Sequence, residues 1–598
     1  MHTEFTKSDR RIILIKSLSW LLLGSLVFAA AITGVFYPVA IAILFIVGAA
    51  LLVIYSLKKK LFFNFSKELL VVSMLILLMV SVISIFATPT LFSGRDQGTI
   101  SEAAIRLAQN HHFGFSTPAS QTFFSLYGKG KALNFPGFYY NQDGSLVPQF
   151  PLVYISWLAF FYTLFGIAGI TIANALLLYF FIFSFYALCR TYLSRSFSLL
   201  SLVFILTSFC FDWFTKFTLS ENMALALVWI MIFSLVEFLK KPEKIPYAVF
   251  ITSAILLVFT RIEGFALLFT SGFLICFTAS ARHYLKENLF RMVIVPLGMF
   301  LLLFAFNMHI DINFYREIAK ALLNALIGKE SGIDLIEKTA VIPSYYTAGI
   351  FVLYGLMGFL LLGTASVLRM LQKKEYSTLL PLFIISPTLV YLIDSHISLD
   401  QPWMLRRYLF SILPTTILYS TLLLSAWWAV AKKDRRKQYL RLMTISVCVV
   451  LFAFNMNATA RFFTYSENRH LLGQGKEFSD MFASNDLVLL DRNVTGDGWA
   501  MLSGPMSFLW GKNAAYFFNL SDLDELDYAR YAHVYLVIPD TGSQLDPTAM
   551  TNHGLAFYQP YRLPSERLGI FEATTSQSVR FPAKISKEIT GKIYILTK

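Results

Sequence analysis

"SGRDQGTISEAAIRLAQN", Ser93 to Asn110, decides how this chain is read. It follows three strongly apolar stretches and is the first place where the chain stays polar. Asp96 stands a few residues past the end of an apolar run and opens a charged, helix-forming segment. In a soluble protein it would be an ordinary acid at a helix N-terminus. Composition changes that meaning. Of 598 residues, 56% are hydrophobic, 16% aromatic and only 14% charged, against about 25% charged in soluble domains. With a mean hydropathy of +0.61, the chain reads as an all-α polytopic membrane protein. Asp96 then opens the first long polar stretch after the membrane runs.

Apolar runs of roughly 17 to 23 residues, long enough to cross a bilayer as helix, lie near 12–33, 38–57, 68–88, 169–189, 197–213, 222–239, 246–260, 263–280, 291–309, 348–370, 377–394, 408–430 and 441–458. They predict about thirteen transmembrane helices. The first run is too long, and too poorly followed by a small-residue cleavage site, for a secretory signal peptide, and is read as an anchor. Cys189, Cys210, Cys276 and Cys448 all fall in apolar segments, so neither a disulfide framework nor a zinc site is indicated.

Lys and Arg placement orients the chain, because cytoplasmic loops keep positive charge. "SLKKK" at 56–60, "CRTYLSR" at 189–195, "KKPEK" at 240–244, "ARHYLKENLFR" at 281–291, "RMLQKKE" at 369–375 and "KKDRRKQYLR" at 432–441 face inward with the N-terminus. The net charge of +14 is thus mostly a topological signal, and nucleic-acid binding loses its support. The segment "FPLVYISWLAFFYTLFG", 150–166, fits this alternation only as a helix lying along the outer interface. Three regions follow: an N-terminal transmembrane hairpin (1–67), a transmembrane catalytic region (68–458) with an outer loop at 89–168, and an outward-facing domain (459–598). The last carries short strand-like runs at 486–491, 533–539 and 592–596 and reads as a small α/β domain.

Ionisable groups near the hydrophobic zone are costly and mark function or pairing. On the outer side these are Arg95, Asp96, Lys129, Lys131, Lys216, Glu221, Arg261, Glu263, Arg406 and Arg407. Acids and bases from distant segments converging on one face suit a phosphorylated substrate at the membrane surface. No Gly-rich nucleotide loop is present in the sequence.

These segments resemble a family. "SGRDQGTISEAAIRLAQN" is similar to the first outer loop of the GT-C glycosyltransferases that use polyprenyl-phosphate sugars. "GSLVPQFPLVYISWLAFFYTLFG" (144–166) resembles that group's Pro-rich entry and interfacial helix. "FTKFTLSENMALALVW" (214–229) resembles its second acidic position, "FTRIEGFALL" (259–268) its Thr-Arg-Pro-Glu-Gly element, and "RRYLFSILP" (406–414) its late Arg-Tyr motif. The resemblance covers about residues 68–430. It departs at Gln97, Glu221 and Ile262, where a second acid, Asp and Pro are common.

The resemblance implies transfer of a sugar from a polyprenyl-phosphate donor to a hydroxyl acceptor on the outer face of a bacterial inner membrane, with inversion. Asp96 is then the catalytic base and Glu221 a second catalytic acid. Arg261, Arg406 and Arg407, with Lys129 or Lys131, bind the donor phosphate, and Glu263 and Tyr408 support the site. No cofactor is required, although Asp96 and Glu221 could together hold one divalent cation. The expected partners are the lipid donor, membrane lipids and an envelope acceptor. A lipid-linked glycan ligase or polymerase is the alternative. A transporter fits less well, because it would favour broken central helices and internal symmetry over a long outer loop and outer domain.

Overall fold

The computed structural model describes residues 6–58, 66–327, 344–393, 402–569 and 579–597. Residues 328–343 and 394–401, and part of the basic cluster at 56–60, lie outside the described residues. Each of the thirteen apolar runs is mostly helical where described, with breaks inside several of them. Eight helices are long and apolar enough to cross a membrane: Lys7–Ile32, Lys67–Ile85, Ile167–Tyr192, Ser220–Lys240, Phe290–Lys320, Tyr376–Ile393, Ile412–Lys433 and Tyr439–Phe462. Two more runs are helix pairs bent by 93° (Glu263–Phe277 with Ala279–Glu287) and 99° (Tyr346–Leu353 with Leu356–Gln372). Of the remaining three, Pro38–Lys58 runs for 21 residues, while Arg195–Leu206 and Lys244–Val258 are shorter than the roughly 20 residues a perpendicular span needs. Eight described helices, or ten with the bent pairs, therefore meet both length and apolarity, and Pro38–Lys58 matches them in length.

The outer surface of this bundle is apolar. Phe269 is 75% exposed, Leu442 69% and Ile85 68%, and such side chains recur along the outer helices. A surface of this kind is stable only against lipid, which makes the chain a multi-pass membrane protein. Helix Ser220–Lys240 runs through the middle and is buried along nearly its whole length. On the side expected to face the cytoplasm, Arg190 Nε meets Glu68 Oε1 at 2.8 Å and Arg10 meets Glu237 at 3.3 Å, tying helix ends together.

The segment expected to lie along the interface is helix Leu152–Phe165. At about 1.5 Å per residue its 14 residues extend about 21 Å, short of the roughly 30 Å hydrocarbon core. It is covered by protein rather than lipid, since Leu152 to Phe161 are all buried. The covering helices are Asp96–Asn110, Ile167–Tyr192 and Lys7–Ile32. Val153 N–H donates to Phe259 O (3.3 Å), which fixes this helix against the turn that precedes Arg261.

Beyond the bundle, the outer loop forms a three-stranded sheet from β2 (Gly130–Lys131), β3 (Phe138–Tyr140) and β4 (Leu146–Pro148), after β1 (Ser93–Gly94). The C-terminal region folds as expected into an α/β unit: β5 (Leu487–Leu490), β6 (Ala500–Met501), β7 (Asn513–Tyr516), β8 (Val534–Pro539), β9 (Leu555–Leu568) and β10 (Lys584–Leu596). Five of these make one sheet in the order β7-β5-β8-β10-β9, parallel among β7, β5 and β8 and antiparallel beyond. Strand β1 pairs with β6, Ser93 opposite Met501 and Gly94 opposite Ala500, so the C-terminal unit is stitched to the chain two residues before Asp96.

Candidate active site

Asp96 opens helix Asp96–Asn110, and two glycines decide where it stands. Gly94 has φ +112, a backbone that L side chains rarely adopt, and turns the chain out of the β1–β6 pair. At Gly98 a Cβ would sit 1.5 Å from Phe92 O, so only glycine lets the first helical turn pack back on the entering strand. The helix is then latched to the head of helix Ser220–Lys240. Thr218 Oγ1 donates to Gln97 O at 2.7 Å and lies 2.8 Å from Ser101 Oγ. The loop before Glu221 is held by amides, Asn222 Nδ2 (2.8 Å) and Asn174 Nδ2 (3.0 Å) both donating to Phe217 O.

Four segments far apart in sequence meet here. Arg406 Nη1 lies 2.8 Å from Asp96 Oδ2, and its Nε is 3.8 Å from Glu221 Oε1. Arg261 Nη1 is 3.0 Å from the same Glu221 oxygen and 3.2 Å from Ser220 Oγ. Its other edge forks onto Glu263, Nη2 donating to Oε1 at 2.7 Å and Nε to Oε2 at 3.2 Å. Tyr391 donates its hydroxyl to Glu263, and Tyr408 donates to Tyr391 O at 3.0 Å. The result is a chain of alternating charge: Asp96, Arg406, Glu221, Arg261, Glu263.

Burial grades this chain. Glu221, Arg261 and Glu263 are sunk in protein, whereas the Asp96 carboxylate is 45% exposed and the only strongly accessible acid of the five. Buried charges survive only when paired, and the Glu221–Arg261–Glu263 triad meets that condition internally. Arg407 differs. It is mostly buried, its nearest carboxylate oxygen on Glu221 is 4.0 Å away, and its Nε has no hydrogen-bond partner among the described residues. The ring of Tyr391 lies 6.0 Å from its guanidinium. It is the least committed cation of the cluster.

The residues singled out in the sequence are thus mostly assembled: Asp96, Glu221, Arg261, Glu263, Arg406, Arg407 and Tyr408 meet within one network. Lys129 and Lys131 stand apart, exposed at the edge of the β2–β3–β4 sheet and without an ion pair among the described residues. Lys216 is also committed elsewhere, 3.3 Å from Asp212 and donating to Phe462 O and Phe463 O. For a divalent ion shared by Asp96 and Glu221 the donor set is unfavourable, because Arg406 bridges both carboxylates and a metal would compete with it directly.

Sequence reasoning missed the aromatic partners. Trp403 and Arg406 share one turn of 3₁₀-helix (Trp403–Tyr408), where residues three apart eclipse one another. Trp403 meets the Arg95 guanidinium at 4.3 Å just as Arg406 meets Asp96. The same guanidinium lies 4.9 Å from the ring of Trp499 in the C-terminal unit, and Arg492 lies 4.4 Å from that ring. Two consecutive residues, Arg95 and Asp96, are therefore gripped by two residues of one helical turn. A Trp three before the Arg pair is the signal that could have found it.

No family model matches the chain, and no curated protein matches it. Among solved structures the chain is similar to ArnT from Cupriavidus metallidurans bound to undecaprenyl phosphate (TM-score 0.49, 10% identity, 88% of this chain and 97% of that one). It is similar to the apo state of the same protein (TM-score 0.48, 9% identity, the same coverage). It is also similar to the oligosaccharyltransferase AglB from Archaeoglobus fulgidus in complex with an inhibitory peptide and a dolichol-phosphate (TM-score 0.47, 10% identity, 78% of this chain and 69% of that one).

Proposed function

We propose that this protein is a GT-C-type glycosyltransferase of a bacterial inner membrane, with its active site facing the periplasm. It moves a sugar from a polyprenyl-phosphate donor to a hydroxyl acceptor of the envelope. The observation that carries the reading is the pairing of an accessible carboxylate, Asp96, with a dense arginine cluster on the outer ends of membrane helices. The resemblance of the five motif segments points the same way.

In this reading Asp96 accepts the proton of the acceptor hydroxyl as its oxygen attacks the anomeric carbon. A carbon–oxygen bond to the acceptor forms, the anomeric carbon–phosphate oxygen bond breaks on the opposite face, and the electron pair leaves with the polyprenyl phosphate. One displacement gives inversion. Arg406 lowers the electrostatic cost of the paired state of Asp96 and can turn toward the departing phosphate. Arg407, whose nearest carboxylate oxygen is 4.0 Å away, is the guanidinium least engaged by acids and the one assigned to receive a phosphate oxygen. Arg261 binds Glu221 and Glu263 and sets the field behind them. No divalent ion takes part in these steps.

The test is incubation of the purified protein in lipid nanodiscs with polyprenyl-phosphate sugars and envelope extract, reading liberated polyprenyl phosphate. Liberation that depends on both protein and extract supports the assignment. Solute uptake without liberation would instead favour a transporter.

A further inference from the structure

The last turn of helix Tyr439–Phe462 carries Arg461. Val450 and Phe454, each 52% exposed, lie on the lipid side of this helix. Arg461 is seven residues past Phe454 and shares that face. Arg441, in the cytoplasmic cluster at the other end of the helix, stands 20 residues before Arg461. At about 1.5 Å per residue that is roughly 30 Å, the thickness of one hydrocarbon core. The two arginines bracket the bilayer, and Arg461 stands at the level of the outer headgroups.

The foot of the β9–β10 hairpin comes down at the same place. The ring of Phe581, just before β10, lies 5.3 Å from Tyr354 and 6.0 Å from Phe462, over the heads of two membrane helices. Arg461 places its guanidinium 4.7 Å from the Phe581 ring. Lys584 Nζ lies 5.0 Å from Tyr465 and 5.8 Å from Phe462. Two exposed cations from distant segments thus flank one aromatic cluster, with Arg580 exposed beside them. Aromatic rings cover cation faces but supply no acceptor to the N–H groups. Neither Arg461 nor Lys584 has an ion pair or a side-chain hydrogen bond among the described residues. Cations on the outer side also run against the bias that orients the chain.

Charge is polarised along the hairpin. Lys584 pairs with Leu568 at one end and Leu596 with Leu555 at the other, about 40 Å away at roughly 3.3 Å per residue. At that far end His553 meets Asp524 at 3.2 Å, within the acidic run "DLDELD" at 522–527. The basic end is therefore the one at the membrane, and the acidic run is held away from it.

We propose that Arg461 and Lys584, with Arg580, form a docking surface for the headgroups of anionic phospholipids in the outer leaflet, which seats the C-terminal unit on the membrane. A zwitterionic headgroup brings its own ammonium to a surface that already holds unneutralised cations. A net anionic one supplies phosphate oxygens without it, and pairs best where positive charge is clustered. The aromatic cluster beneath fills the apolar side of the same interface. This surface is independent of the transferase reading.

The test uses the full-length protein in a Cys-free background in nanodiscs. A fluorophore is placed at Ser586→Cys at the hairpin foot or at Thr551→Cys at the far end, both exposed positions. Phosphatidylglycerol and phosphatidylcholine, each with a nitroxide high on one acyl chain, are compared as quenchers at equal mole fraction. The cytoplasmic basic clusters lie at the opposite leaflet and do not reach the label at 586. The expected result is quenching at 586 about twofold or more stronger by the anionic lipid, fading at high salt, with no difference at 551. Arg461→Gln combined with Lys584→Gln should abolish the preference at an unchanged Tm. Arg461→Lys combined with Lys584→Arg should keep it. Equal quenching at 586 by the two lipids, or a preference that survives the double Gln variant, would overturn the proposal. So would a preference abolished by one equivalent of undecaprenyl phosphate, which would give the surface to the lipid donor instead.

Discussion

Arg406 holds Asp96 at 2.8 Å while its own Nε reaches toward the buried Glu221, so the one accessible acid of the cluster is wired to its interior through a single guanidinium. Removing the charge of Asp96 should leave that interior intact. Asp96→Asn is expected to insert and accumulate like the parent and to lose about 10²-fold or more in transfer, the scale of a lost general base. Protein level and initial rate, measured on the same membranes, separate the two effects.

Arg261 and Arg407 should fail in different ways. Arg261→Ala leaves Glu221 and Glu263 buried without their shared cation, a cost of about 3–5 kcal/mol. Lost protein is the expected phenotype, and Glu263→Ala should share it. Arg407→Ala breaks no hydrogen bond to its Nε and should fold, with donor KM raised about tenfold to a hundredfold, the worth of about 1.4 to 2.7 kcal/mol of charge-assisted bonding. Lysine at 407 should rescue in part, since charge survives and the planar fork does not. Immunoblot levels and donor KM for the set distinguish the roles; an unchanged KM in well-folded Arg407→Ala would remove it from phosphate binding.

Glu467 supplies a pH signature. Burial, joined by the nearby Asp497, pushes its carboxyl up to about 7 from the ordinary 4.5, against the opposing pull of the Leu568 N–H bond. A raised carboxyl is easier to ionise in the unfolded chain than in the fold. The resulting penalty is absent below the ordinary value, grows as pH rises from about 4.5 to about 7, and is complete above that. Glu467→Gln keeps an acceptor for Leu568 and removes the penalty. Its Tm should exceed that of the parent at pH 8, with the gap closing toward pH 4.5; a constant gap would contradict the assignment.

How far these features could be read from sequence differs by element. Charges excluded from apolar runs announced themselves, because their rarity in a membrane chain is itself a signal, and Asp96, Glu221, Arg261 and Arg406 proved to meet. Which acid pairs with which arginine was not legible. It depends on how helix heads about 300 residues apart in sequence pack, and Arg406 gives no local sign that its partner is Asp96. Strand β9 was hidden by Pro560 and Pro564, which read as loop residues yet stand opposite Lys592 and Glu588 in the long hairpin with β10. The two-residue β1–β6 pairing and the Trp403–Arg95–Trp499 stack leave no periodicity to detect, and they are the contacts that bring the C-terminal unit to Asp96.

Sidedness follows from the basic clusters and is testable without any substrate. In a Cys-free background, Lys129→Cys and Thr551→Cys, both at exposed positions, should react with an impermeant thiol reagent in intact cells. Lys432→Cys, also exposed, should react only after permeabilisation. Labelling at 432 in intact cells would invert the topology.

The most direct measurement is the release of polyprenyl phosphate from a polyprenyl-phosphate sugar by the reconstituted protein with envelope extract, parent against Asp96→Asn at equal protein. Release by the parent, about a hundredfold slower in the variant, is the predicted result. No release by the parent across a panel of donor sugars, or equal release by the two proteins, would contradict the assignment of Asp96 as the base of a glycosyl transfer.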